Sequence, residues 1–170
     1  MNAPAPFTCP GIDRIGPLCP DRAAEALALF STRMDYFRAI GDRRTLEGIR
    51  ADMAELPPGT QAGQKQYLGL WKSGRLAAVT DLVWGYPDGR TLFIGLLLVG
   101  QAFAGQGLGR QIVAGIARQA MDRKLERMRL ACMAENRSGR AFWHAVGFSV
   151  SEYHRQAYNG RDLLVMERRL

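Results

Sequence analysis

An unbroken apolar run, LFIGLLLV (92–99), leads directly into a stretch rich in glycine. Because no polar residue alternates along this run, it predicts a central strand that is covered on both faces. Gly105, Gly107 and Gly109 then follow at alternate positions within AFAGQGLGR (102–110). Beyond them, apolar residues recur every four positions, which is typical of the buried stripe of a helix: Leu108, Ile112, Ile116 and Ala120. The sequence therefore predicts a buried strand that turns through bare backbone into a helix.

The rest of the chain mixes helical and strand patterns. IDRIGPL (12–18) predicts a first strand, and Pro20 suits the first turn of a helix. Asp42 is an N-cap candidate for a second helix that ends before Pro57. Turn signals then separate alternating or apolar runs, which predict hairpins around Ser73-Gly74 and Asn159-Gly160 and a strand at RMRLACM (127–133). With 170 residues and no composition shift, we expect one mixed α/β domain over residues 1–170.

Positive charge is concentrated after the glycines. Residues 101–170 carry 12 Lys and Arg against 6 Asp and Glu, whereas residues 1–100 carry 11 against 10. A ligand in this half is expected to be anionic. A nucleic-acid tail would show blocks of like charge, but RKLERMR (123–129) interleaves its cations with Glu126 and apolar residues, so a solvated basic face is favoured over nucleic-acid binding.

The sequence does not support a membrane-spanning helix, a disulfide framework or a metal site. The apolar runs are far shorter than the roughly 20 residues of a membrane-spanning helix, and MNAPAPF lacks the features of a signal peptide, so we expect a soluble cytoplasmic protein. The three cysteines form no C-x-x-C pair, and no set of ligands at metal-binding spacing accompanies His144 or His154.

The glycine-rich stretch fits neither common phosphate-loop motif. Its spacing is G-x-G-x-G, not the G-x-G-x-x-G of a dinucleotide site, and Gln106 and Gly107 stand where a Walker loop needs Lys and Ser or Thr. Two interpretations remain open. The free N–H groups of such a turn can bind an anion at the helix N-terminus, or the glycines can serve only a sharp turn with close packing.

Two segments resemble motifs of the GNAT superfamily of N-acetyltransferases. LLLVGQAFAGQGLGRQIVAGIARQAM (96–121) is similar to the family's acetyl-CoA-binding motif, [Q/R]-x-x-G-x-[G/A] after a central strand. ENRSGRAFWHAVGF (135–148) resembles the family's second segment, with Asn136, Phe142, Gly147 and Phe148 in register. Both lie within residues 91–148, which the resemblance makes the cofactor-binding core.

The resemblance implies a GNAT-like fold and an activity. The fold would be a mixed, mostly antiparallel sheet of six to seven strands, splayed open at the cofactor site and flanked by about four helices. The activity would be transfer of an acetyl group from acetyl-CoA to a primary amine, on a small molecule or a peptide, by direct attack and without a metal. The cofactor would be held by the following residues: Leu98, Val99, Ala104, Gly105, Gln106, Gly107, Leu108, Gly109, Arg110, Asn136 and Trp143.

The chain departs from the family pattern at three points. Ala104 replaces a usual Arg or Gln, although its N–H is expected to stay available. Trp143 stands where many members carry a tyrosine that protonates the departing thiolate, and an indole N–H is no useful acid. The strand that often carries a catalytic carboxylate has Gly95 and Leu96 instead.

Substitutes for the missing acid and base are therefore nominated from other strands. Asp81 is the candidate base, and the alternative is that it is a polar strand residue hydrogen-bonded to a backbone donor. Tyr153 is the candidate acid, and the alternative is that it only packs against a neighbouring strand. The acceptor is expected between the first two helices and the Tyr86-Pro87 turn, with Asp35, Tyr36 and Tyr86 as contacts.

Other interpretations of the chain remain. The same fold that binds acyl-CoA without catalysis would act as a sensor of cofactor level. The sequence also allows a homodimer, because RDLLVME (161–167) is a candidate edge strand that a second copy could extend.

Overall fold

The computed structural model describes residues 6–42 and 44–170. Within these residues, seven strands form a single sheet in the order β1-β2-β3-β4-β5-β7-β6, whose one parallel pair is β4 with β5. The strands are β1 Arg14–Pro17, β2 Lys65–Lys72, β3 Arg75–Trp84, β4 Thr91–Val99, β5 Arg127–Met133, β6 Ser149–Tyr158 and β7 Arg161–Arg169. The α-helices of the described residues are α1 Ala23–Ser31, α2 Met34–Ala39, α3 Leu46–Ala54, α4 Leu108–Asp122 and α5 Arg137–Ala145. The predicted mixed α/β, mostly antiparallel fold is confirmed, and the described residues contain five α-helices where about four were expected.

The hairpins form where the turn residues predicted them. Ser73 and Gly74 have φ values of 50° and 73°, and Asn159 and Gly160 have 49° and 73°. Two consecutive residues with positive φ match the twist of antiparallel strands, and Gly and Asn adopt that region most readily. These turns connect β2 to β3 and β6 to β7.

The start of α3 differs from the prediction. Thr45 is its N-cap, and its side chain accepts a hydrogen bond from the Gly48 N–H at 3.0 Å. The predicted cap, Asp42, lies three residues earlier and forms an ion pair with Nε of Arg44 at 2.9 Å. Both residue types cap helices well, so capping propensity alone does not choose between them. The helix ends at Ala54, before the prolines, as predicted.

Two apolar clusters cover the two faces of the sheet. One lies against α4 and α5 and includes Ile112, Ile116 and Phe148, and the other lies against α1 to α3 and includes Phe30 and Phe37. Strand β4 contributes to both, with Ile94 in the first and Leu98 in the second. The prediction that the LFIGLLLV run is a central, covered strand is confirmed.

The sheet opens beside β4. Pairing with β5 covers only Thr91–Ile94, and no further pair joins the described residues of these two strands. At the same level the register with β3 shifts, since Asp81 lies opposite Leu96 and Leu82 opposite Ile94. Gly95 is thus the extra residue of a β-bulge, which bends the strand and increases its twist. The carboxyl-terminal half of β4 therefore separates from β5.

The expected edge strand is not an edge. Strand β7, which contains RDLLVME, pairs with β5 on one side and β6 on the other. The final hairpin folds back so that β6 takes the edge, and all of its residues are exposed. The proposed dimer contact through 161–167 is thus wrong, because that strand's hydrogen bonds are already used within the sheet. Among the described residues, no helix is long and apolar enough to cross a bilayer.

Candidate functional site

The opening between β4 and β5 is continuous with a cleft of about 630 Å³. Its walls come from the end of β4, the turn into α4, the first turn of α5, and the α2 region. Of the residues predicted to hold the cofactor, all but Gln106 line this cleft.

The turn into α4 presents unpaired N–H groups. In the part of the chain that the structure describes, the N–H groups of residues 105–110 donate to no backbone or side-chain acceptor, and Gln111 is the first to bond, to the Gly107 carbonyl at 3.2 Å. Gly105 and Gly107 have φ values of 73° and 81°, and a Cβ on either would meet no atom within 4 Å. At Gly109 a Cβ would lie 3.1 Å from the Phe142 ring. The first two glycines therefore serve backbone conformation, and the third serves close packing.

Neighbours of this turn are arranged differently from the prediction. The Ala104 N–H is not available, because it donates to the Gln101 carbonyl at 3.2 Å. The exposed Gln106 side chain donates to the Ala102 carbonyl at 3.0 Å, and Arg110 donates to the Ala145 carbonyl at 3.0 Å. The anion-binding capacity of the turn thus lies in the main chain of residues 105–110 at the N-terminus of a helix.

Some main-chain groups on the open side of β4 are already hydrogen-bonded. The Gly100 N–H bonds the Ala77 carbonyl of β3 at 2.9 Å, and successive residues of a strand alternate in direction. The main-chain groups of Leu98 therefore face β3, while those of Leu97 and Val99 face the opening. The Val99 carbonyl accepts a hydrogen bond from Nη1 of Arg33 at 2.8 Å. This leaves the Val99 N–H and both main-chain groups of Leu97 on the open side.

Helix α5 closes the cleft on the other side. Asn136 is its N-cap and accepts a hydrogen bond from the Gly139 N–H at 3.0 Å. Trp143 is buried between Phe142 and Phe148, with ring centroids 5.0 and 5.1 Å away. Trp143 thus fills the wall of the cleft as an apolar side chain.

The predicted acceptor residues do not meet in one place. Tyr36 lines the cleft, and burial raises its pKa. Asp35 is exposed and lies 3.6 Å from Nε of Arg33. Tyr86 packs edge-on against Phe93 at the opposite end of the β3–β4 hairpin from Val99.

Asp81 lies behind the β-bulge. Its side chain does not line the cleft, but Gly95 does, and a Cβ on Gly95 would lie 2.9 Å from Oδ2 of Asp81. The carboxylate therefore occupies the volume that a side chain at position 95 would take. Nζ of Lys65 contacts the same oxygen at 3.0 Å. Burial raises the pKa of Asp81, while Lys65 acts in the opposite direction.

Tyr153 is not at the cleft. It lies on the edge strand β6, 54% exposed, and its hydroxyl donates to the Asp162 carboxylate. That hydrogen bond raises the pKa of Tyr153. The phenol of β6 that lines the cleft is Tyr158, at the end of the strand.

Several cleft residues escaped the sequence analysis. Arg33, Asp42, Arg44 and Tyr158 also line the cleft, and Arg44 forms ion pairs with both Asp42 and Asp52. They belong to segments without a motif, so only the folded chain brings them together. Among the described residues no three His, Cys, Asp or Glu side chains are placed to hold a metal ion.

Comparison with known proteins agrees with this geometry. A sequence model of the acetyltransferase (GNAT) family matches residues 27–148. The fold is similar to an acetyltransferase from Thermus thermophilus, with 26% identity, a TM-score of 0.75, and 92% of this chain and 96% of that chain covered. A search among curated proteins found no significant match.

Two other solved structures share the fold at lower identity. One is an acetyltransferase from Salmonella typhimurium that modifies the N-terminal serine of the 50S ribosomal protein L7/L12, with 16% identity, a TM-score of 0.75 and coverage of 92% and 94%. The other is a Bacillus subtilis acetyltransferase in complex with CoA, with 17% identity, a TM-score of 0.56 and coverage of 64% and 79%. The family match spans most of the chain and contains both the splayed strand and the unpaired amides. The protein belongs to the GNAT family of acetyltransferases.

Proposed function

We propose that this protein transfers the acetyl group of acetyl-CoA to a primary amine by direct attack. The single observation that carries the proposal is the row of unbonded N–H groups at residues 105–110, at the N-terminus of α4 and the edge of the cleft. Such a row, together with the helix dipole, favours a bound diphosphate.

The residues present fit acetyl-CoA. Gly105 and Gly107 carry no side chain that would cover the amides, and the space beside them is open. The Leu97 and Val99 main chain offers the remaining donors and acceptor to an extended, amide-bearing arm, as a strand would. Acetyl-CoA supplies, when bound, an acetyl thioester. The chain's own contribution is to hold it against β4 so that the acceptor arrives in an oriented position.

The acceptor enters in this proposal from the end lined by Tyr36, Asp42 and Tyr158. Deprotonating a lysine-like amine of pKa about 10.4 costs roughly 4.6 kcal/mol at pH 7, whereas an α-amino group of pKa about 7.8 costs only about 1 kcal/mol. The Salmonella acetyltransferase, which has the same fold, modifies an N-terminal serine. An α-amino group is therefore the acceptor that depends least on a general base.

Asp81 is the proposed base, acting through a water molecule at Gly95. Two features support it: the carboxylate abuts a residue that lines the cleft, and burial raises its pKa toward the range useful for proton transfer. The amine forms the new C–N bond, its proton passes to Asp81, and the C–S bond breaks. Coenzyme A leaves as a thiolate, because a thiol pKa of about 8.5 is low enough for departure without an acid. The proposed reaction does not use Tyr153.

The test has two stages. First, isothermal titration calorimetry with coenzyme A and acetyl-CoA should detect binding, and absence of heat for both would refute the proposal. Second, the protein and acetyl-CoA are incubated with one of four acceptors: a peptide with a free N-terminal serine, one with a free N-terminal alanine, a peptide with an acetylated N-terminus and a free lysine side chain, or spermidine. Free coenzyme A and acetylated product are followed by mass spectrometry. We expect transfer to the α-amino peptides first. Binding without transfer to any amine would instead support the acyl-CoA sensor.

A further inference from the structure

A buried ion pair lies directly behind the bulge of β4. Nζ of Lys65 and Oδ2 of Asp81 are 3.0 Å apart, and the two side chains are only 9% and 14% exposed. Lys65 lies opposite Val83 at the start of β2, so Asp81 is its diagonal neighbour on the same face of the sheet. Long side chains reach such diagonal partners across antiparallel strands.

An ion pair at this depth needs an explanation other than stability. Removing two charges from water costs several kcal/mol for each, and apolar replacements of buried pairs are often neutral or stabilising. An apolar residue could stand at position 65, because Val83, its register partner on the same face, is itself apolar and buried. The pair is therefore better explained by what it does to the carboxylate.

The two carboxylate oxygens of Asp81 are in different situations. Oδ2 carries the contact with Lys65 and lies against Gly95, whereas Oδ1 is buried with no hydrogen-bond partner among the described residues. A buried acceptor without a partner is uncommon and points to a water molecule or a chemical role. One oxygen is thus fixed and the other is left free.

The other ionisable groups near Asp81 favour its neutral form. Asp52 of α3 and Glu55 just after it act to raise the pKa of Asp81, in the same direction as burial. Tyr67, its register partner on β2, is buried, and its own raised pKa keeps it neutral. Lys65 is the group that acts against them.

We propose that Lys65 is a positioning residue for acetyl transfer: its contact with Oδ2 holds the Asp81 carboxylate ionised and against Gly95, where it takes up the proton of the acceptor amine through water. This inference rests on the proposed function and adds a residue to it. The residue carries no motif and does not line the cleft. Lys65 acts only through Asp81 and touches neither substrate.

The test compares Lys65→Met with Lys65→Gln, Lys65→Arg and a matched control. Lys72→Met removes a positive charge from the other end of the same strand, away from Asp81. Two readouts are recorded for each variant: the acid limb of the pH–rate profile of kcat/KM with an N-terminal serine peptide, and the ¹³C titration of the Asp81 carboxyl carbon, identified by its loss in Asp81→Asn. The NMR readout is independent of activity, and Lys65→Gln serves if Lys65→Met fails to fold.

In Lys65→Met and Lys65→Gln we expect both midpoints to rise together by about 1–3 pH units, since an opposite charge at this range has that effect on a carboxyl group. Lys65→Arg should restore them at least in part, and Lys72→Met should leave them in place. Unmoved midpoints would overturn the inference, as would a moved NMR midpoint with an unmoved rate profile. Failure of the proposed function is separate, since it would appear in the unsubstituted protein as absence of coenzyme A binding or transfer.

Discussion

Replacing Gly107 by alanine tests the anion-binding turn most directly. Gly107 has a φ of 81°, and an added Cβ would meet no atom within 4 Å. The substitution therefore introduces no clash, and its effect is confined to backbone conformation. An L-residue with a Cβ pays about 1–2 kcal/mol in the left-handed region.

The expected size of the effect follows from where that strain is released. Because the space at the Cβ position of residue 107 is open, the free protein can relax the turn and lose the alignment of the N–H groups that follow. Binding must then restore the strained geometry. A cost of about 1–2 kcal/mol corresponds to a weakening of roughly 5- to 30-fold in Kd for coenzyme A.

Gly74→Ala is the matched control for this substitution. Gly74 has a φ of 73° in the β2–β3 turn, also with no atom within 4 Å of its Cβ position, and it does not line the cleft. Gly74→Ala should lower Tm by up to roughly 8 °C, given about 2–4 °C per kcal/mol for a chain of this size, whereas Gly107→Ala should lower it less, because its turn relaxes in the free protein. Calorimetric titration with coenzyme A should then separate them: weaker binding for Gly107→Ala, and unchanged binding for Gly74→Ala. If Gly107→Ala binds coenzyme A within twofold of the unsubstituted protein, the amides of this turn do not hold the ligand.

Three further perturbations follow from the packing and the titration of the site. Gly95→Ala places a Cβ 2.9 Å from Oδ2 of Asp81, so it should lower kcat and should lower the free energy of unfolding in urea by about 1–3 kcal/mol. Gly16→Ala in β1, where the Cβ position is open, should lower neither quantity. Trp143→Ala removes a buried ring between two aromatic neighbours and should cost about 3–5 kcal/mol in urea unfolding; a cost below about 1 kcal/mol would contradict its packing role. Burial raises the pKa of Cys132 from 9.0 to about 11, so the folded state holds that proton more tightly and stability should fall as pH rises from about 9 to 11. Urea midpoints across this range should show the fall, and Cys132→Ala should reduce its slope.

Much of the fold was predictable because its signals are local. The positive-φ turns at Ser73-Gly74 and Asn159-Gly160, the apolar β4 run and the four-residue stripe of α4 each encode their structure within a few residues. The errors arose where long-range packing decides. Nothing local distinguishes an edge strand from an inner one, so β7 was misjudged, and α2 is too short to show a period.

The candidate site divides along the same line. The half proposed for the cofactor is encoded by one continuous segment, residues 105–110, whose glycine spacing matches the family's acetyl-CoA-binding motif. The half proposed for the acceptor is assembled by the topology of the sheet from the α2 region, β5, β6 and β7, so the sequence carries no signal for Arg33, Asp42 and Tyr158.

Asp81, the proposed base, lies at a position that a motif search does not inspect. A motif search expects a carboxylate on β4 and finds Gly95, which looks like a loss. In the folded chain the bulge at Gly95 leaves the volume of one side chain empty, and Asp81 of β3 fills it. A glycine in a strand interior weakens the strand unless something approaches it closely, and here the approaching group is the carboxylate. The missing side chain at position 95 and the carboxylate at position 81 are therefore one structural feature. A sequence comparison that scores the two positions separately would count the glycine as a loss.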